Sequence, residues 1–79
     1  MNKIRLLSRL QDFFNADDKE KKKKAKDIAD VIEKLQAKER KINQMLDDCK
    51  DEEMKKALQL EANIISAQIE KGLSVLESL

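Results

Sequence analysis

Apolar residues return along this chain at helical intervals, in three blocks. The first is Ile4, Leu6, Leu7, Leu10, Phe13 and Phe14. At about 100° per residue these positions fill roughly half of a helical wheel. Arg5, Ser8, Arg9, Asp12 and Asn15 fall on the other half. The pattern predicts a short amphipathic helix within residues 1–16, and it holds both aromatics of the chain.

A polar joint follows at Asn15-Ala16-Asp17-Asp18. Asp17 suits an N-cap, and Glu20 stands three residues later, as a capping box prefers. From there a long stripe runs through Ala25, Ile28, Val31, Ile32, Leu35, Ile42, Met45, Leu46 and Cys49. Ile28, Leu35, Ile42 and Cys49 recur at seven, the interval of an a-type coiled-coil seam. Val31 and Met45 fill d-type positions, and Lys38 interrupts that series.

The stripe then stops. Among Asp47, Asp48, Cys49, Lys50, Asp51, Glu52 and Glu53 only Cys49 is apolar, and Asp51 suits the cap of another helix. Beyond it Leu58, Ile65, Gly72 and Leu79 again recur at seven, flanked by Met54, Ala57, Ala62, Ile69, Leu73, Val75 and Leu76. Glu61 and Gln68 intrude on that face.

The expected fold class is therefore all-α. Residues 17–79 are read as an antiparallel two-helix hairpin, coiled-coil-like, with its turn near 47–52. No Gly or Pro enforces the turn, so one continuous bent helix competes with it. Counting outward from Lys50 sets Ile42 opposite Leu58, Leu35 opposite Ile65 and Ile28 opposite Gly72. The same count puts Lys38 beside Glu61, where the two either pair or both reach water. A mid-helix Gly72 costs about 1 kcal/mol relative to Ala. It is read either as a point of close approach by the first helix, through Phe13 or Phe14, or as part of a fraying end.

Length changes this picture. A chain of 79 residues gains only a few kcal/mol from one core and usually needs a staple. With one Cys and no His, neither a disulfide nor a His-containing metal site can supply it. Either the first helix folds back as a third layer, or two hairpins pair into a bundle. The expected partner is thus the chain itself, as a homo-oligomer. The expected core and assembly residues are Ile28, Leu35, Ile42, Leu58, Ile65 and Ile69. Leu7, Leu10, Phe13 and Phe14 are expected to contact the hairpin, a sister subunit, another protein or a membrane.

Charge adds an asymmetry. Residues 1–46 carry 13 Lys and Arg against 8 Asp and Glu, and residues 47–79 carry 4 against 8, for an overall charge of +1. Such polarity suits helix pairing. Lys19, Lys21, Lys22, Lys23, Lys24 and Lys26 lie within eight residues, opposed only by Glu20. Lys21, Lys22, Lys23 and Lys24 are the candidates for an anionic partner. Beside an amphipathic helix bearing Lys3, Arg5 and Arg9, the run resembles a two-part anchor for anionic lipid. For nucleic acid it lacks stacking aromatics and Arg forks, so that partner is disfavoured.

Catalytic chemistry finds no footing. Without His there is no helical di-iron motif and no imidazole base. The acidic elbow lacks the ligand spacing and the Gly of a calcium loop. Cys49 has no His or Asn to complete a nucleophilic set. The expectation is no enzyme, no cofactor and no metal. The first fourteen residues hold no uninterrupted apolar core of a secretory signal, so a cytoplasmic location is expected. The expected function is a non-enzymatic helical protein–protein interaction module of the adaptor, chaperone or assembly-factor type. A peripheral membrane protein anchored by the first helix and the Lys run is the alternative. A non-specific nucleic-acid-associated protein is the third reading.

Overall fold

The computed structural model describes residues 2–79. It contains three helices: α1 (Lys3–Asn15), α2 (Asp18–Asp48) and α3 (Glu52–Glu77), and no strand among the described residues. Each helix starts on a side-chain cap, which satisfies amide groups that have no partner within the helix. Asn2 accepts from the Arg5 amide at 2.9 Å, and Asp17 accepts from the Glu20 amide at 2.8 Å. Asp51 accepts from the Glu53 and Met54 amides at 2.9 and 3.3 Å. Acidic residues follow in the first turns of α2 and α3, where the helix dipole favours them.

Both joints are made without glycine. Ala16 and Asp17 are extended, as are Cys49 and Asp51, and no described residue has a positive φ. Extended backbone costs an ordinary residue nothing, which is why the sequence carries no turn signature here. The Cys49 amide donates to the Leu46 carbonyl and closes the end of α2.

The 31 residues of α2 account for about 46 Å at 1.5 Å per residue. The whole molecule measures 47 × 20 × 17 Å. So α3 lies beside α2 and does not extend it, and α1 packs on both. The core is a single cluster at their junction. Leu6, Leu10 and Phe13 come from α1, and Ile28, Val31, Ile32, Leu35 and Ile42 from α2. Leu58, Ala62, Ile65 and Ile69 come from α3. No polar or charged residue is buried among the described residues.

Two contacts depart from the simple count. The side chain of Ile32, not Ile28, lies closest to Gly72, one helical turn nearer the connection. Glu61 pairs with Lys3 of α1 and not with Lys38. Gly72 is buried, and a Cβ placed there would lie 2.8 Å from Ile32 Cδ1 and 3.3 Å from Leu10 Cδ1. Of the first helix, Leu10, and not Phe13 or Phe14, supplies an atom among the three nearest to that position.

Gly72→Ala should leave stability within about 1 kcal/mol of the parent, because better helix propensity offsets the push on Ile32. Gly72→Leu should lower it by roughly 2–3 kcal/mol, since the added atoms have no room between two buried side chains. Urea unfolding followed by circular dichroism checks both. A Gly72→Leu variant as stable as the parent would mean that α1 is not held against this point.

Candidate functional site

The six expected core residues are all buried, from Leu35 and Ile65 at 0% exposure to Leu58 at 8%. The residues expected to meet a partner divide. Leu10 and Phe13 are fully buried within the chain. Leu7 and Phe14 are half-buried and pack against the same cluster. The Phe13 and Phe14 rings are tilted by 55° with centroids 6.1 Å apart, and Lys71 Nζ lies 4.4 Å from the Phe14 centroid. This cation–π contact ties the end of α1 to the last third of α3. The Lys3–Glu61 pair ties its beginning to the middle of α3.

The lysine run does not gather on one side. Consecutive residues point about 100° apart on a helix. Lys21 and Lys22 line a shallow hollow with Val75, Ser78 and Leu79, beside the last turn of α3. The carbonyls at that end carry the negative pole of the α3 dipole, which counters positive charge in the first turns of α2. Lys24 faces a different hollow with Arg9, Asp12 and Asp27, and its amine lies 3.8 Å from Glu20. Lys23 is exposed. The four candidates for an anionic partner thus point to different sides of the helix.

The surface with the clearest chemistry lies elsewhere. A groove between α1 and α3 is walled by Leu7, Ala57, Leu60, Ile64 and Ile65, with Lys3 and Glu61 at its edge. Leu60 is 62% exposed and Ile64 48%. Ile4, on α1, is 73% exposed. Side chains of this size in water favour removal by a partner, at about 25 cal/mol per Å² buried.

Sequence reasoning passed over Leu60 and Ile64. They sit off the inner seam of α3, among Gln59, Glu61 and Asn63, and read as isolated apolar residues. The signal that marks them is their spacing from Ala57, at three and seven residues.

No group of three or more Cys, Asp or Glu that could hold a metal ion forms among the described residues. Cys49 is half-buried, with Sγ 3.4 Å from the Asp51 carbonyl oxygen. Among the described residues, no helix is long and apolar enough to cross a membrane. No protein-family model, no curated protein and no solved structure matches this chain.

Proposed function

We propose that this chain is a non-enzymatic helical interaction module that associates with itself and presents a helical face to other proteins, as an adaptor, chaperone or assembly factor does. In this reading α2 and α3 form an antiparallel, coiled-coil-like hairpin and α1 completes its apolar side. The chain acts in the cytoplasm and needs no cofactor. The observation that carries the reading is the apolar groove between α1 and α3, where Leu60 and Ile64 remain exposed after the chain has filled its own core. A chain with so many apolar residues off its core, flanked by charge, is shaped for a helical partner.

The test is the molar mass in solution of the full chain, by sedimentation equilibrium over micromolar to millimolar concentrations. The reading expects a mass above the 9.1 kDa of one chain. Leu60→Glu with Ile64→Glu should weaken association about 100-fold, since each places a charge in a buried contact. At concentrations below the parent's dissociation constant the melting curve of that variant should change little, because both positions face water in the single chain. A parent that stays at 9.1 kDa at every concentration contradicts self-association.

A membrane-surface reading is favoured by one observation. Ile4 stands almost free on α1, with Lys3, Arg5 and Arg9 on the same helix. Flotation with anionic vesicles, absent with neutral ones, is the result that supports it.

A further inference from the structure

α3 carries a second stripe on its outer side. Glu53, Ala57, Leu60, Ile64, Ala67 and Lys71 follow one another at alternating intervals of four and three. That alternation is the a/d spacing of a coiled-coil seam. All six residues are exposed. The inner seam of α3, Leu58, Ala62, Ile65, Ile69 and Gly72, is buried against α1 and α2. At 100° per residue the two stripes point roughly 140° apart.

The outer stripe is complementary to itself when turned end for end. With residue 62 at the centre, Leu60 meets Ile64 of the second strand, Ala57 meets Ala67, and Glu53 meets Lys71. Antiparallel seams place a positions against d positions, and every one of these pairs does so. A two-fold axis generates each pair twice, giving an apolar centre, small residues on both sides of it and an ion pair at each end. Alongside on one shoulder, exposed Lys56 comes opposite exposed Glu70, with Asn63 facing Asn63 at the centre. On the other shoulder Glu61 faces its own copy, and Lys3 already neutralises it. A parallel alignment would instead set Glu53 on Glu53 and Lys71 on Lys71.

We infer that α3 pairs with α3 of a second copy of this chain, antiparallel, in the register that joins Leu60 to Ile64 and Glu53 to Lys71. The inference rests on the self-association proposed above and gives that association an interface and a direction. The seam from Glu53 to Lys71 is about 27 Å long. Lys71 remains over Phe14 in this arrangement, because its ammonium has three donors and the ring occupies one side of it.

The experiment uses two charge variants of the full chain. Glu53→Lys with Glu70→Lys makes the stripe basic, and Lys56→Glu with Lys71→Glu makes it acidic. Each alone should form its homodimer at least about tenfold more weakly than the parent, because four attractive pairs become repulsive. An equimolar mixture should recover the parent's affinity as a heterodimer. In a Cys49→Ser background, Ala57→Cys and Ala67→Cys chains should form disulfides with each other and not with themselves. Thermal melts of the separate variants guard against loss of the fold.

Homodimers of both charge variants as tight as the parent's, or Ala57→Cys chains cross-linking among themselves, overturn the register. If Leu60→Glu with Ile64→Glu still abolishes the dimer in that case, the interaction face stands and only its pairing falls. A parent that is monomeric throughout removes both.

Discussion

Phe13→Ala should lower stability by about 3–5 kcal/mol, the usual cost of replacing a buried Phe by Ala. Phe13 is the largest fully buried side chain among the described residues. It belongs to α1, and α1 contributes only two other buried residues, Leu6 and Leu10. Removing its ring leaves a cavity between three helices and deletes much of what holds α1 in place. Folded chains of this length have a total of about 4–12 kcal/mol at roughly 0.05–0.15 kcal/mol per residue. The loss is therefore a large share of the whole, and a melting temperature lower by at least about 12 °C is expected. Phe14→Ala is the control. Its side chain is half-buried, and its loss removes the cation–π contact with Lys71 at a cost of about 1 kcal/mol. A Phe13→Ala variant within about 1 kcal/mol of the parent would mean that α1 is docked only part of the time.

The sequence states the long helices plainly because each signal there is local. Asp17 and Asp51 mark helix starts within one turn, and each caps its helix by accepting a first-turn amide, while the Glu20 carboxylate lies towards Lys24. The seam at Ile28, Leu35 and Ile42 buries, as does that at Leu58 and Ile65. Register was harder to read. Two heptad stripes fit each other at several offsets one turn apart, and only packing in three dimensions selects Ile32 against Gly72. The role of α1 was harder still. Leu6, Leu10 and Phe13 make the same amphipathic pattern whether they cover a core, a partner or a lipid surface. The outer stripe of α3 was hidden for a different reason. Its ends are charged and its flanks small, so only Leu60 and Ile64 register as apolar. They become a surface once Leu58, Ala62 and Ile65 are known to face inward.

The same ambiguity decides how a membrane role must be tested, through the contrast between Leu10→Asp and Ile4→Asp. Leu10 has no exposed surface, and its neighbourhood holds no buried polar group that could pair with a carboxylate. An aspartate there is an uncompensated buried charge, which costs about 3–5 kcal/mol in addition to the lost packing. Leu10→Asp should therefore release α1 or unfold the chain, seen as reduced helicity and a broadened or absent melting transition. Any change it causes in vesicle flotation then reports on exposed core residues, not on a lipid contact. Ile4 lies on the same helix but is 73% exposed. Ile4→Asp should leave the melting curve within about 0.5 kcal/mol of the parent. If α1 meets lipid while folded, Ile4→Asp abolishes flotation with anionic vesicles at unchanged helicity. If α1 serves only the core and a protein partner, flotation of Ile4→Asp and of the parent is the same, and the large effect of Leu10→Asp is one of folding alone.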